Sequence, residues 1–362
     1  MFSSQGFSLR IIFTYLGKEY LRAFFLCLFL LWSLALLIDF FDRLDDFIRQ
    51  GPSFFSVARY FFFKAPLFVT QMAPAAALTG SLLSLSLLSR NREILAFKAC
   101  GISPVQIAFP LVLSALFLSI TIWLWNEFIV PYAFHKARYI NTVEIKKKPF
   151  KSFYEHGFWY HGKNLFYHVE HFDARKNVLS EVQIYTLDDQ FTVHSLVEVS
   201  RAFWQENRWH CEGWQETVLT ANDGSSALSC VTLFEETPED FALVAMEAEE
   251  FSSQQLRVYI ADLQHKGLDT TAYLVDLHLK SALPIATLVM TLLGLSLAIP
   301  GARQLTITKS VGLALIIGFG YWVLLAVAIS LGHSGALPPL LSAWVANSAT
   351  GLVGIFFLLG VD

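Results

Sequence analysis

The sequence predicts a membrane α-helical protein, with six transmembrane helices and an extracytoplasmic all-β, jellyroll-like domain inserted between the third and fourth. Three observations predict it. The chain of 362 residues is 54% hydrophobic, only 15% charged, and has a mean hydropathy of +0.49, whereas soluble domains carry about 25% charge. Long apolar stretches recur along it, separated by polar or broken segments. From about Pro131 to Lys266, by contrast, no apolar run is long enough to cross a bilayer.

Arg22 and Asp39 bracket AFFLCLFLLWSLALLI, sixteen apolar residues, where a span needs about 20. Arg22 can snorkel at one end, and Phe40 and Phe41 extend the other. Met1 to Tyr20 lacks the separate apolar core and small-residue cleavage site of a signal peptide, so this span is expected to stay as an anchor. A polar hairpin follows, with Asp42, Asp45 and Asp46, and Gly51-Pro52 breaks it. The second span lies between Lys64 and Arg90. Pro66 and Pro74 each remove a backbone donor from it, which a bilayer tolerates where neighbouring helices satisfy the backbone. Its later part, GSLLSLSLLS, offers small residues for close helix approach. Both features predict a span packed inside the bundle. The third span, Ile102 to Asn126, ends in the interfacial aromatics Trp123 and Trp125.

The inserted region alternates with period two in FWYHG, NLFYHVEHF, EVQIYTL, FTVHSLVEVS, RWHCEGW, ETVLTA and SCVTLF, with turn residues between them. That pattern predicts a sandwich or open barrel. Ser252 to His265 reads as a helix with Leu256, Tyr259, Ile260 and Leu263 on one face, ended by Gly267. The fourth span is expected between Lys280 and Arg303. Ser310 to Val361 contains no Asp, Glu, Lys or Arg and makes two spans, divided at Gly332-His333-Ser334-Gly335 and Pro338-Pro339. The predicted organisation is therefore helices one to three over 1–130, the β domain over 131–266 and helices four to six over 267–362. An even count places both termini on one side. Basic residues in the short loops of that side (Arg10, Lys18, Arg22, Arg90, Arg92, Lys98, Arg303 and Lys309) make it the cytoplasmic one. Arg43, Arg49, Arg59 and Lys64 oppose this assignment from the other side.

The net charge of −4 gives no sign of nucleic-acid binding. No GxxxxGK[ST] phosphate loop, nucleophile elbow or catalytic triad can be made out, and no cofactor motif is expected. If ATP drives the protein, another chain hydrolyses it. His156, His161, His168 and His171 attract a metal reading, but strand geometry sends His168 and His171 to opposite faces, against a shared ion. Cys211 and Cys230 could pair in an oxidising compartment or remain buried thiols; the sequence leaves both open. Lys136, Arg138, Lys146, Lys147, Lys148 and Lys151 sit just outside the third span, suited to any anionic lipid or to a phosphorylated headgroup. Asp39, Glu127 and Asp276 lie at span ends, where interfacial solvation explains them; this argues against an ion-coupled carrier.

The remaining feature is Ser89 to Ser103, SRNREILAFKACGIS, a charged interruption between the second and third spans. It is either an idle loop or a docking element, and we read it as docking. A short helix over 89–103 would use Ile94, Leu95 and Phe97 for packing, Arg92 and Glu93 for charged contact, and Gly101 as its end.

Six helices with a β domain after the third resemble the LptF/LptG (YjgP/YjgQ) permeases of lipopolysaccharide export. The residues that carry the resemblance are SRNREILAFKACGIS, YLVDLHLKSALPIATLVMTLLGLSLAI and GALPPLLSAWVAN. The last of these, with LLIDFFDRLDDF, looks more like the G subunit than the F subunit. The resemblance implies a multi-pass inner-membrane permease without its own ATPase site. Its implied partners are an LptB-type cytoplasmic ATPase dimer, an LptF-type second permease and an LptC/LptA-type periplasmic bridge. The implied cargo is lipopolysaccharide, taken from the outer leaflet and passed through periplasmic jellyrolls. The family's ATPase-docking carboxylate falls on Glu93 and one phosphate-contacting cation on Arg138, with Lys136 as a substitute where Asn141 replaces the next. A family lysine at the outer end of the first helix falls on Asp39, a carboxylate that would repel phosphate. Phe40, Phe41 and Phe319 would line the lateral cavity, and Phe158, Tyr160, Phe166 and Tyr167 a slot for acyl chains, or else an ordinary sandwich core. Two other classes compete. A mechanotransmission-type ABC permease is disfavoured by the helix count, and a membrane-anchored sensor or assembly factor would need no ATPase.

Overall fold

The computed structural model describes residues 3–145, 158–161, 165–173, 177–187, 193–205, 208–218, 234, 247–265, 269–298 and 307–359. Six helices are long and apolar enough to span a membrane. They are α1 (Ser3–Asp42), α3 (Phe54–Arg90), α5 (Pro104–Phe128), α8 (Thr271–Ala298), α9 (Ile307–His333) and α10 (Pro339–Leu359). Shorter helices fill the connections: α2 (Leu44–Gln50), α4 (Glu93–Ala99), α6 (Val130–Tyr139) and α7 (Ser253–His265). One π-helical segment, Ile140–Ile145, follows α6. The chain forms two compact units, Met1–Asp45 with Phe61–His135 and Thr271–Asp362, and Asp46–Tyr60 with Lys136–Thr270.

In the helical unit the expectation for the second span holds. The most apolar stretch of α3 is 72% buried, against 11% for α1. Pro66 and Pro74 lie inside α3 without ending it. Two indoles of neighbouring helices bond the backbone at Pro66: Trp32 Nε1 donates to the Ala65 carbonyl and Trp125 Nε1 to the Pro66 carbonyl, both at 3.2 Å. In α8, Pro284 cannot donate to the Lys280 carbonyl, and Asn126 Nδ2 does so instead at 3.3 Å. Ser119 Oγ donates to the Pro284 carbonyl at 2.8 Å, and Asn347 Nδ2 to the Ala282 carbonyl at 2.8 Å. Side chains of α5 and α10 thereby fix where α8 sits between them.

Small residues set the helix spacing. A Cβ at Gly80 would lie 2.9 Å from the Phe24 backbone, so α1 and α3 touch along their main chains. A Cβ at Gly294 would overlap Ser81 of α3. Three span boundaries differ from the sequence expectation, and the first is α3, which begins at Phe54 rather than after Lys64. α1 runs twenty residues N-terminal of Ala23, because Leu16, Tyr20 and Phe24, four residues apart, continue one buried stripe. α8 begins at Thr271, so Lys280 lies inside the helix, only 9% exposed, rather than at its end.

The inserted unit contains β1 (Phe158–His161), β2 (Leu165–Asp173), β3 (Val178–Leu187), β4 (Val193–Gln205) and β5 (Arg208–Val218). They form one antiparallel sheet in sequence order, the all-β insert the alternation predicts. Strands after Val218 that would close a jellyroll, including SCVTLF, lie outside the described residues. The buried face changes parity between Leu179 and Val182, at Glu181, whose φ of +55° reverses the pleat. Gly213, with φ +67°, sits on the same line across β5. The sheet's buried face carries Tyr167, Val169, Val182, Ile184, Val197, Val199 and Trp209. The helix α7 buries Leu256, Tyr259, Ile260 and Leu263 as expected, while Gly267 lies outside the described residues.

Gly80→Ala should lower the melting temperature of the detergent-purified protein, as overpacking of about 1–3 kcal/mol does. Gly312→Ala, with no atom within 4 Å of its Cβ, serves as the control. Equal melting temperatures for the two variants would show that α1 and α3 are not in main-chain contact.

Candidate functional site

The connector between the second and third spans is a structured element. α3 ends at Arg90, a turn at Asn91 and Arg92 follows, and α4 covers Glu93–Ala99. Arg92 adopts φ 59°, an uncommon left-handed conformation for a residue with a Cβ. Gly101, with φ 82°, closes α4: its N–H bonds the Lys98 carbonyl and that of Ile102 the Phe97 carbonyl, both at 3.0 Å. Ser103 then caps α5, exchanging side-chain and backbone bonds with Gln106.

The residues expected to pack divide into two faces. Ile94 and Phe97, three apart, are half-buried against the helical core. Leu95, about 100° round the helix, is 66% exposed. Glu93 is engaged within the chain. Its Oε2 accepts from the Tyr15 hydroxyl of α1 at 2.9 Å, and its Oε1 from Asn91 Nδ2 at 3.1 Å. Tyr15 escaped the sequence reading because that part of α1 lay outside the expected span.

At the opposite end of α1, Asp39 is a paired carboxylate with its side chain only 15% exposed. Lys64 Nζ of α3 donates to Asp39 Oδ1 at 2.6 Å, and Arg43 Nε at 3.3 Å. Asp39 Oδ2 is buried without a hydrogen-bond partner. Lys64 also lies over the Phe68 ring, 5.3 Å from its centroid. Several carboxylates and cations share this hairpin in the sequence, and only the structure shows that Asp39 and Lys64 meet. Phe40 packs on Phe61, with ring centroids 5.9 Å apart. Phe41 and Phe319 are 61% and 73% exposed, on α1 and α9.

In the inserted unit Arg138 bonds Glu250, and its Nε lies 3.9 Å from Glu247 Oε1. Glu250 also caps the turn that leads into α7, accepting from the Glu247 N–H at 3.3 Å. Lys136, two residues away, is exposed. Arg59 Nη1 donates to Glu144 of the π-helical segment at 3.1 Å. Asn141 lies half-buried on that same segment. The four aromatics expected to share a slot are not equivalent. Tyr167 is buried and stacks on Phe234, centroids 5.6 Å apart, while its neighbour Phe166 is half-buried on the other face. Phe158 pairs with Val169 and Tyr160 with Tyr167 in register; their side chains lie outside the described residues. Cys211 is disulfide-bonded, which removes the free-thiol alternative for it; Cys230 lies outside the described residues.

The family model of the lipopolysaccharide export system permease LptF/LptG matches residues 14–360. The chain belongs to the LptF/LptG family. It is LptG-like: it is 24% identical over 350 residues to the lipopolysaccharide export system permease protein LptG of Escherichia coli K12, covering 95% of this chain and 97% of that protein. The LptG of Haemophilus influenzae is 24% identical over 354 residues, with the same two coverages. The α4 connector and both ion-pair sites lie within the matched residues of this LptF/LptG chain.

The Asp39–Lys64 pair gives a sharp test. Removing one partner of a buried pair leaves an uncompensated charge and costs about 3–5 kcal/mol, whereas replacing both by apolar residues is close to neutral. Asp39→Leu should therefore lower the melting temperature in detergent, and Asp39→Leu with Lys64→Met should restore most of it. Additive losses in the double variant would mean that the two side chains do not act as a pair.

Proposed function

We propose that this LptF/LptG-family chain is a permease subunit of an ATP-driven lipopolysaccharide exporter of the inner membrane. It extracts the lipid from the outer leaflet and passes it to a periplasmic bridge. The observation that carries this reading is α4. It is a rigid two-turn helix on the terminal side of the bundle, capped at its C-terminal end, with Ile94 and Phe97 turned to the bundle and Leu95 exposed. A solvated loop needs no such cap and no exposed leucine beside a carboxylate. A docking surface for an ATPase needs both, an apolar anchor and a charged contact.

In this reading an LptB-type ATPase dimer supplies the energy, and an LptF-type second permease faces the exposed sides of α1 and α9. An LptC/LptA-type bridge receives the lipid. A lipid with several acyl chains enters sideways, between spans, where the apolar surfaces of α1 and α9 around Phe41 and Phe319 are lipid-compatible. At headgroup depth Lys136 and Arg138 of α6 offer positive charge to phosphate, each close charge worth about 1 kcal/mol. The β domain, with Phe158, Tyr160, Phe166 and Tyr167, takes the acyl chains onward. The chain itself hydrolyses nothing.

A pull-down in mild detergent separates this reading from a membrane-anchored sensor. A cytoplasmic ATPase should co-purify with the chain, and its reproducible absence would favour the sensor. Glu93→Arg should abolish nucleotide-driven release of lipopolysaccharide from proteoliposomes while membrane insertion stays normal. Export by that variant at the parent's rate would count against docking through α4.

A further inference from the structure

The most exposed span is tied to the docking helix by one side-chain bond. α1 has only 11% of its most apolar stretch buried. Around its inner end the bundle holds it through Leu16, Tyr20 and Phe24, and Tyr20 is hydrogen-bonded to Thr291 of α8 at 2.8 Å. Tyr15 lies outside that buried stripe. Its ring is 41% exposed, so core packing does not account for it. Its hydroxyl crosses to α4 and donates to Glu93 Oε2 at 2.9 Å, a charge-assisted bond between groups 78 residues apart in sequence. Asn91 holds the other oxygen of Glu93 from within the turn itself. Glu93 is thus shared between its own turn and the first span.

We propose that Tyr15 is a positioning residue that relays movement of α4 to α1. This inference rests on the proposed function, in which α4 meets an ATPase. Its content is the direction of coupling. α4 is covalently continuous with α3 and closely followed by α5, so any displacement reaches those two spans without further contacts. α1 is joined to α4 across 78 residues of chain, and the Tyr15–Glu93 bond supplies the direct path. A carboxylate accepts several hydrogen bonds at once, so Glu93 can keep Tyr15 while meeting a cation of the ATPase. When α4 shifts, the bond draws the inner end of α1 with it. The helix is continuous from Ser3 to Asp42, so the outer end, where Asp39 pairs with Lys64, feels the same motion.

The test uses the full complex of this chain with its second permease and ATPase in proteoliposomes, comparing the parent, Tyr15→Phe and Asn91→Ala. A spin label at Leu37→Cys, on the exposed face of α1, reports movement of the span. Tyr15→Phe should leave ATPase association and ATP hydrolysis unchanged. It should lower lipopolysaccharide released per ATP by about tenfold, the equilibrium weight of one hydrogen bond to a charged group, and abolish the nucleotide-induced change in the label's mobility. Asn91→Ala, which removes the other bond to Glu93 without touching α1, should retain both. Three results overturn the inference: an unchanged lipid-to-ATP ratio in Tyr15→Phe, a matching loss of ATPase association, or the same defect in Asn91→Ala. The last two would mean that Tyr15 only orients Glu93. Failure of the proposed function shows differently, as a parent complex in which no ATPase associates and no nucleotide response occurs.

Discussion

A bilayer offers no water to a backbone group, and that constraint organises the helical unit. α3 and α8 both carry proline through the hydrocarbon, and each proline withdraws a donor that the helix needs. At Pro284 the replacement comes from a neighbour, Asn126 at the Lys280 carbonyl, while Trp32, Trp125 and Asn347 add side-chain bonds to the Ala65, Pro66 and Ala282 carbonyls close to the prolines. Such bonds are directional and fix helix rotation as well as distance. Association in lipid lacks the hydrophobic drive available in water, so these bonds and the close contacts at Gly80 and Gly294 hold the helices together. The side-chain to backbone bonds join α3, α5, α8 and α10. α1 leaves the most apolar surface uncovered within the chain, 11% buried over its most apolar stretch, with α9 and α10 each at 28%.

A helix without dense internal contacts can move against a bundle that has them. α1 is held along one side only: by the stripe from Leu16 to Phe24 with its close approach to Gly80, by Phe13 on Phe109, by the bonds of Tyr15 and Trp32, by Phe40 on Phe61 and by the ion pair at Asp39. Most of its length contributes surface rather than packing. The same economy applies to α4, where Gly101, Ser103 and the Phe97–Ile102 pair hold a short helix that would not persist in isolation.

Much of this was legible in the sequence, for physical reasons. Six spans, the all-β insert, the buried second span and the amphipathic α7 follow from periodicity and proline content, which are local properties. What escaped was non-local. Hydropathy registers lipid contact, so the reading began α1 at its lipid-facing part and missed the stripe through Leu16 and Tyr20 that buries the rest. Lys280 looked like a boundary because charge ends most apolar runs, yet it sits one turn before Pro284 inside α8. Glu93 was found as a charge, but its partner Tyr15 belongs to another helix and no spacing rule connects them. Grouping Phe166 with Tyr167 in one slot was a reading that strand geometry alone argues against, since adjacent residues face opposite ways. Asp39 was read as solvated because its partner, Lys64, lies on a different span.

Two cations, Lys64 of the helical unit and Arg138 of the inserted unit, share a feature. Lys64 is paired with Asp39, and Arg138 with Glu250 and Glu247. Neither meets a phosphate as a bare charge. A phosphate that engages such a cation must displace or share it with a carboxylate, so the free energy of binding is a difference between two charge-assisted contacts. A bare cation would hold a phosphorylated lipid at its full electrostatic strength and release it slowly. A cation that can return to its own carboxylate holds such a lipid more weakly than a bare one would. Asp39 therefore does not leave this end of α1 without positive charge, because Lys64 of α3 lies beside it.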